Sequence, residues 1–377
     1  MATYYVRADA SGGNDGSQAT ADKAWTWAEL LTAWTSTLNA GDIVYIVAVG
    51  GTISRTTADT PTRDGGSPSP ITIAGCYEQA GDLDIPSYNA DGTLVVTRYP
   101  VISFTGTGRL NASGADGTIY RNLYIKANVS ADTVLMGGNC CMLSCRLENA
   151  NTGSSAQCLS LGTIGDVIDT DAVMTGGSGG YTCINTSGGD VTGCRVLGGY
   201  TRGIYVGGSG ASVTGCTIVG NGSGVGIDWA SGTSTHEGPS IKRNTIVNWT
   251  TGIQSAAVAY SRLMQVVNNS ITGCTTGVLS LYDGTAQVPI LCVANRLRNT
   301  TNLNGFDNWY AATGGDASNV VTAGSDATDY VDAANGDYRI KPGSPGSTAG
   351  IGGVPAGAAA RAGSGGVLVR PGRAGRF

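Results

Sequence analysis

Apolar and polar residues follow a short pattern that recurs eight times along the middle of the chain. Each copy has an apolar residue, two others, then Asn, Cys or Asp, one further residue and a second apolar residue. Successive copies start 22 to 28 residues apart, and they are Ile119–Tyr124, Met142–Leu147, Ile168–Val173, Val191–Val196, Val213–Ile218, Ile241–Ile246, Val266–Ile271 and Cys292–Leu297. A period in this range, with β-branched residues and no helical spacing, predicts a stacked solenoid.

A second element follows several of the repeats, and in each copy a glycine precedes a short alternating run. The four copies are Arg202–Val206, Val225–Asp228, Thr251–Gln254 and Thr276–Leu279. Glycine followed by alternation is typical of a strand that is entered from a bend. Two or three short strands per turn predict a parallel β-coil, in which the turns stack at the strand spacing of about 4.8 Å.

The Asn, Cys or Asp position of the repeats is expected to form a column along this coil. Asn can satisfy the backbone of a bend through its side chain and tolerates the left-handed conformation, whereas Cys fills a buried slot as a small apolar residue. We therefore interpret the column as structural rather than catalytic. Its members are Asn122, Cys145, Asp171, Cys194, Cys216, Asn244, Asn269 and Asn295.

Segments near both ends of the predicted coil are also distinctive. They are Tyr4–Asp9, Gly12–Ser17, Trp25–Leu31 and Ala40–Ile46 at one end and Gly336–Pro345 at the other. With the recurrent Thr-Gly-Ile/Val after Asn-x-Ile, they resemble the right-handed parallel β-helix proteins of the pectin-lyase-like superfamily. The resemblance implies an all-β fold, a right-handed parallel β-helix, in which Gly336–Pro345 closes the coil. Because the superfamily includes lyases, hydrolases, epimerases, adhesins and phage proteins, the resemblance says little about function.

We expect an N-terminal cap over residues 1–50, a β-helix over 51–348 and an extended tail over 349–377. A short helix is predicted at about residues 24–34. It should cover the open end of the coil, because terminal repeats must be protected against edge pairing. Stacking of its tryptophans on sugars is the alternative. The apolar residues of this helix are Trp25, Trp27, Leu30, Leu31 and Trp34.

Charge is unevenly distributed along the 377 residues. The net charge of −5 argues against a general nucleic-acid-binding surface, whereas residues 349–377 carry four Arg and no acidic residue. We expect this Gly-rich tail to dock on a neighbouring subunit or another protein by Arg contacts and strand addition; a tail folded back on its own coil is the alternative. The expected docking residues are Arg361, Val367, Leu368, Val369, Arg370, Arg373, Arg376 and Phe377.

The start of the chain and the cysteines bear on the compartment in which the protein is made. Residues 1–5 run directly into the first predicted strand without a signal-peptide pattern, and no apolar run approaches membrane-spanning length. The ten cysteines lie mostly inside the strand pattern and are expected to be reduced core residues. Cys140, Cys141 and Cys145 cluster, but neighbouring strand residues point to opposite faces, which argues against a metal site. These features favour synthesis in a host cytoplasm and assembly into a bacteriophage virion, with no membrane partner.

The resemblance implies two enzyme chemistries, hydrolysis and β-elimination. Hydrolysis needs two carboxylates at a set separation, and hydrolases of this fold carry them in Asp-Asp and Asn-x-Asp pieces beside His-Gly and Arg-x-Lys. The chain has no Asp-Asp or His-Gly dipeptide. Arg339-Ile340-Lys341 matches the Arg-x-Lys piece, but we expect Ile340 to point into the coil, so the match has no catalytic meaning.

Lyases need a Lys or Arg base, with Ca²⁺ or Arg to neutralise the substrate carboxylate. Asp166, Asp169 and Asp171 form the densest acidic group, but no Lys lies on the neighbouring rungs. The longest bend of the repeat region, residues 228–240, offers a better group, and a solvated loop is the alternative there. The catalytic candidates at this bend are Asp228, His236, Glu237, Lys242 and Arg243.

Carbohydrate binding without cleavage is a third possibility. Tyr200, Arg202 and Tyr205 lie close together in the sequence, and Trp229 follows one rung later. Aromatic faces stack on sugars and Arg binds carboxylates. Exposed tyrosines at this spacing also serve subunit contacts, which is the alternative.

Taken together, these features favour a structural virion protein of a bacteriophage over an enzyme. We expect a homotrimeric capsid-decoration (cement) protein or a tail spike that binds neighbouring capsid or tail proteins; the trimer is implied by the resemblance. The alternative is a lyase or hydrolase that depolymerises an acidic polysaccharide. No cofactor is expected, and Ca²⁺ would be required only by the lyase.

Overall fold

A computed structural model describes most of the chain. The described residues are 1–65, 69–89, 91–151, 156–162, 165–176, 182–198, 201–208, 210–229, 238–255, 264–280, 290–304, 319–321, 325–335, 337–344, 347 and 356–357. They form two compact units, each of them a parallel β-coil. Unit 1 comprises the described residues of 1–89 and 94–176, and unit 2 those of 91–93 and 182–357.

Unit 1 has three parallel sheets that the chain visits in turn. Sheet A1 contains β1 (Thr3–Val6), β2 (Ile43–Val47), β4 (Ile71–Cys76), β7 (Thr118–Arg121), β10 (Cys141–Leu143) and β13 (Asp166–Ile168). Sheet B1 contains β3 (Ile53–Arg55), β5 (Val101–Phe104), β8 (Tyr124–Ala127), β11 (Arg146–Asn149) and β14 (Asp171–Met174). Sheet C1 contains β6 (Leu110–Ala112), β9 (Asp132–Met136) and β12 (Gln157–Leu161).

Unit 2 repeats this plan and ends in a hairpin. Sheet A2 contains β16 (Val191–Thr192), β19 (Ser212–Thr214), β22 (Ser240–Lys242), β25 (Met264–Val267) and β28 (Ile290–Val293). Sheet B2 contains β17 (Arg195–Leu197), β20 (Thr217–Val219), β23 (Thr245–Val247), β26 (Ser270–Thr272), β29 (Arg296–Arg298) and β31 (Val320–Val321). Sheet C2 contains β15 (Thr182–Thr186), β18 (Arg202–Val206), β21 (Val225–Trp229), β24 (Thr251–Ser255), β27 (Thr276–Leu279) and β30 (Thr301–Asn304). The hairpin pairs β32 (Tyr330–Asp332) with β33 (Asp337–Ile340).

Each sequence repeat is a pair of strands joined by a two-residue bend, in which the first residue is left-handed. Residues with φ near +50° to +70° precede the column residues, as Arg243 precedes Asn244 and Asn268 precedes Asn269. From Asn244 onward the column is a ladder of buried amides: the side-chain Oδ1 of Asn269 accepts bonds from the backbone N–H and the Nδ2 of Asn244 at 2.9 and 3.0 Å. The structural role predicted for these asparagines is confirmed.

Two members of the predicted column lie outside it. The register pairs Leu143 with Arg121 and with Ile168, so the residues opposite Cys145 are Leu123 and Thr170 rather than Asn122 and Asp171. Asn122 is itself the left-handed residue, with φ of 57°, and Thr170 Oγ1 accepts the backbone N–H of Cys145 at 3.4 Å. The sequence pattern misplaced these two because the apolar spacing tolerates a shift of one residue at a bend.

The four glycine-containing strands were placed correctly, and sheet C2 shows why glycine is needed there. A Cβ on Gly226 would lie 2.6 Å from the carbonyl oxygen of Gly252 and 2.8 Å from Cγ2 of Ile246. Its inward direction would also bring it within 3.2 Å of the buried ring of Trp249. The glycine row therefore allows the next rung and the interior side chains to approach closely.

The predicted N-terminal helix is present as α1 (Trp27–Ser36), two to three residues later than expected. It begins at a capping box in which Thr26 and Glu29 bond to each other's backbone N–H. Its buried face includes Trp34, whose ring centre lies 6.0 Å from that of Tyr120, an inward residue of β7. The indole Nε1 of Trp27 donates to the buried Asp59 at 2.7 Å. The tryptophans thus pack into unit 1, as the capping interpretation requires.

The segment expected to close the coil instead lies on the outer face of sheet B2. Helix α2 (Asp326–Asp329) and the β32–β33 hairpin place Asp329 against Arg296, and both side chains have no exposed area. Tyr330 Oη lies 2.6 Å from Thr272 Oγ1, on the same outer face. Ile340 is partly exposed, and its Cγ1 lies near Gly357, which is also next to the outward-facing Ser270, so the prediction that Ile340 points into the coil is wrong.

None of the helices in the described part of the chain has the length and apolar character needed to cross a membrane. The expected docking residues of the tail, from Arg361 to Phe377, lie outside the described residues.

Candidate functional site

Two of the predicted sugar-binding residues form a built cluster on the outer face of sheet C2. The guanidinium carbon of Arg202 lies 4.7 Å from the ring centre of Tyr205, three residues along the same strand. Arg202 Nε donates to Asp228 Oδ2 at 2.5 Å, and Gln254 Nε2 donates to the other oxygen of that carboxylate at 3.2 Å. We call Arg202, Tyr205, Asp228 and Gln254 the Arg202 cluster.

Stacked register produces this cluster. Tyr205, Asp228 and Gln254 are direct partners in three successive strands, and Arg202 lies one rung below Val225. The Asp228 side chain is 4% exposed, whereas the Arg202 side chain is 33% exposed. The buried carboxylate therefore fixes the guanidinium through Nε. The terminal nitrogens of Arg202 have no hydrogen-bond partner among the described residues, and the guanidinium lies beside the half-buried Tyr205 ring.

Trp229 does not join this surface. Its side chain is 1% exposed and points into the coil, because it follows the outward-facing Asp228 on β21. Its indole is therefore not available to stack on a sugar, which corrects the prediction. Tyr200, the remaining member of the predicted set, lies outside the described residues.

The catalytic candidates are not brought together where they are described. Asp228 lies on sheet C2, whereas Lys242 is the last residue of β22 in sheet A2 and Arg243 is the left-handed bend residue after it. His236 and Glu237 lie outside the described residues. The Asp228 carboxylate already accepts hydrogen bonds from Arg202 and Gln254, so we assign it the role of positioning the Arg202 guanidinium.

The acidic group of unit 1 has a structural use at its most buried member. Asp171 is fully buried, and its Oδ2 accepts the backbone N–H of Leu94 at 2.7 Å. Asp169 is a left-handed bend residue with φ of 49°. Within the described part of the chain, no group of three or more His, Cys, Asp or Glu side chains is placed to hold a metal ion.

All ten cysteines are buried free thiols. Burial raises the pKa of Cys141 and of Cys145 to about 12, and that of Cys140 to about 11. Thiols of this kind are neither good nucleophiles nor ready metal ligands at neutral pH. Their role is core packing, as the sequence predicted.

A second polar cluster, on the outer face of sheet B1, was missed by the sequence analysis. Tyr124 and Lys126 lie on β8, and their register partners Arg146 and Glu148 lie on β11. Tyr124 Oη donates to Glu148 Oε2 at 2.7 Å, and Arg146 lies 3.6 Å from the same oxygen. The period-2 alternation of the two strands was the available signal, since it puts all four on one face. We call these four residues the Tyr124 cluster.

Comparison with known proteins identifies the fold. No protein-family model matches the chain, and no curated protein matches it. A solved pectate lyase, Pel9A, superimposes with a TM-score of 0.59 at 13% identity, over 93% of this chain and 92% of that one. A solved rhamnogalacturonan lyase superimposes with a TM-score of 0.53 at 13% identity, over 88% of this chain and 91% of that one. The chain therefore has the right-handed parallel β-helix fold that these lyases share.

Proposed function

We propose that this protein binds an acidic polysaccharide on the outer face of sheet C2, through the Arg202 cluster. The observation that carries the proposal is the Arg202 guanidinium itself. It is held by a buried carboxylate and a phenol ring, while the side chain stays 33% exposed and its terminal nitrogens have no hydrogen-bond partner among the described residues. Two N–H groups held in this way match the two oxygens of a uronate carboxylate. The Tyr205 ring offers an apolar surface for the sugar ring beside that carboxylate.

The fold likeness to two polysaccharide lyases supports this ligand class over a purely structural role. Cleavage is a further step, for which the described residues offer no complete acid, base and metal arrangement. The alternative depolymerase activity therefore rests on Lys242, on His236 and on the bend that contains His236.

The virion role predicted from the sequence stays a prediction. It was inferred from the sparse charge, the absent catalytic motifs, the reduced cysteines and the tail. Of that tail the structure describes residues 356–357, and its strand segment at Val367 lies outside the described residues. A phage decoration protein or tail spike that binds a surface polysaccharide would satisfy both interpretations.

Affinity electrophoresis in gels that contain polygalacturonate, alginate or rhamnogalacturonan tests the binding proposal. The wild-type protein should be retarded by at least one of these acidic polymers and not by a neutral glucan. Arg202→Ala should weaken the binding by about tenfold or more, because a charge-assisted hydrogen bond contributes roughly 1.5–3 kcal/mol. Tyr205→Ala should weaken it as well.

Arg339→Ala is the matched control, since it removes the same charge from a partly exposed Arg that is paired with an Asp in the hairpin of unit 2. It should bind as the wild type does. Absence of retardation by every acidic polymer would overturn the proposal. Release of unsaturated uronate products that is lost on Lys242→Ala would instead establish the depolymerase.

A further inference from the structure

The Tyr124 cluster is a square of four side chains on two adjacent strands. Tyr124 and Glu148 occupy one diagonal and are joined by their hydrogen bond, whereas Lys126 and Arg146 occupy the other. The ammonium nitrogen of Lys126 lies 5.2 Å from the centre of the Tyr124 ring, and the guanidinium carbon of Arg146 lies 5.5 Å from it. Two cations therefore flank one neutral phenol and one carboxylate.

The charges of this square are incompletely paired. Among the described residues Lys126 makes no ion pair, and its ammonium group lies over the Tyr124 ring. Among the described residues Arg146 makes one ion-pair contact, in which its Nη2 lies 3.6 Å from Glu148 Oε2, and its guanidinium also lies against the Tyr124 ring. Glu148 uses Oε2 for Tyr124, which leaves Oε1 as an acceptor without a hydrogen-bond partner among the described residues. The square thus offers two cationic donors and one anionic acceptor within a single rung spacing.

These groups are partly exposed. The Arg146 and Glu148 side chains are each 22% exposed. On the next strand, β14, their register partners Asp171 and Val173 are buried, and Asp171 is bonded to the backbone of Leu94. The buried strand β14 therefore lies on one side of the cluster. On its other side, Val101 and Ser103 of β5 are partly exposed.

The ligand that fits must carry both an anion and hydroxyl donors. A bare anion would meet the cations but also Glu148, whereas a neutral sugar would leave both cations unpaired. A uronic-acid residue matches the whole set, since its carboxylate can bridge Lys126 and Arg146 while a ring hydroxyl donates to Glu148. Tyr124 keeps Glu148 in place, and the pKa of Tyr124 is raised to about 12 by burial and then by Glu148, so the phenol stays a donor at neutral pH.

We infer that the Tyr124 cluster is a second carbohydrate site of this protein, which binds one uronic-acid residue of an acidic polysaccharide on the outer face of sheet B1. The inference rests on the proposed function for the ligand class, but it concerns other residues on another sheet. It predicts that one chain binds two short oligouronates independently.

Isothermal titration with a short uronate oligosaccharide, chosen from the polymer that retards the wild-type protein, tests this. The wild-type chain should bind two molecules. Lys126→Gln keeps the length of the side chain without its charge, and it should remove one of the two binding events or weaken it by about tenfold or more. Arg202→Ala should remove the other, and the double variant should bind none. Lys23→Ala, which removes an exposed charge elsewhere in unit 1, should leave both events unchanged.

A second measurement locates the site directly. With tyrosine labelled at ¹³Cζ, the resonance that disappears in Tyr124→Phe should shift during titration with the oligouronate in the Arg202→Ala background. Sodium sulfate at equal ionic strength should shift it much less, because Glu148 repels a bare anion.

The two proposals fail differently. A stoichiometry of one that is abolished by Arg202→Ala and untouched by Lys126→Gln overturns the second site and leaves the first. A wild-type chain that binds no oligouronate overturns both.

Discussion

At the scale of single residues, the bends of the coil depend on buried amides that have several partners each. Asn269 accepts two bonds from Asn244, and its Nδ2 donates to the carbonyl of Ile241 and to Asn295 Oδ1, both at 3.0 Å. Every one of these partners is itself buried backbone or a buried amide. Loss of one side chain therefore leaves several polar groups without partners away from water.

Asn269→Ala should lower the free energy of unfolding by about 2–4 kcal/mol, since each buried group left unpaired costs roughly 1–3 kcal/mol. Urea unfolding followed by circular dichroism measures this. Asn221→Ala is the control. Asn221 is an exposed bend residue of unit 2 whose side chain, among the described residues, accepts bonds from Ser223, and its loss should cost well under half as much. If both variants lost the same free energy of unfolding, the amide ladder would not be a special source of stability.

At the scale of elements, a buried ion pair fastens the C-terminal hairpin to sheet B2. Asp329 contacts Arg296 and also lies 3.0 Å from Arg298 Nε, and Arg298 pairs with Asp326. The outward residues of β26 and β29 are polar or charged, which a hydrophobic pattern cannot distinguish from a solvated face. The acidic first turn of α2 is what covers them.

Asp329→Ala should release this hairpin, because it leaves Arg296 buried without a counter-charge, and breaking such a pair costs about 3–5 kcal/mol. Hydrogen exchange should show faster exchange of the backbone amides of β32 and β33. Asp332→Ala, which changes an exposed carboxylate of the same hairpin, should not. Undiminished protection in Asp329→Ala would show that the apolar contacts of Tyr330 are sufficient.

At the scale of the whole molecule, the buried thiols link stability to alkaline pH. Burial raises the pKa of Cys76, Cys141 and Cys145 to about 12 and that of Cys140 and Cys274 to about 11, from an ordinary value of 9.0. Because each pKa is higher in the folded state, the folded chain holds these protons after the unfolded chain has lost them. Stability is therefore fully present below about pH 9 and falls as pH rises toward 11 or 12.

The urea midpoint should accordingly be flat from about pH 7 to 8 and fall steadily above about pH 9. Cys274→Ala should flatten this fall, whatever it does to the midpoint at neutral pH, because one of the groups that titrate is gone. A midpoint that rises between about pH 9 and 11 would contradict the thiol assignment.

Much of the architecture could be predicted from the sequence because each turn of the coil repeats the same local spacing of apolar residues. A rung must present its apolar residues inward at fixed intervals, so Ile204, Ile227 and Ile253 recur with a glycine before each. The same repetition carried the prediction that Asn244, Asn269 and Asn295 form one column. At Asn122 and Asp171 it failed by one residue, since only the backbone register specifies which residue turns the corner.

The candidate sites were less predictable, because they depend on which side chains meet across rungs. Arg202 and Tyr205 are neighbours in sequence and were found, but Trp229 required knowledge of which face of β21 points outward. The Tyr124 cluster joins residues about one turn apart. No sequence motif marks them, and their side chains come together only because β8 and β11 lie in register.

What the amino-acid sequence determined by itself is the parallel β-coil, its capping helix and its reduced, apolar cysteine core, since each follows from periodicity and from the burial that periodicity implies. Tertiary structure alone decided that the C-terminal segment covers an outer face, that Asp228 orients Arg202, and that Tyr124 and Glu148 lie between two cations. These contacts join residues 24 to 33 positions apart. Their free energy comes from charges and hydrogen bonds that the stacked rungs bring together, which no local sequence pattern encodes.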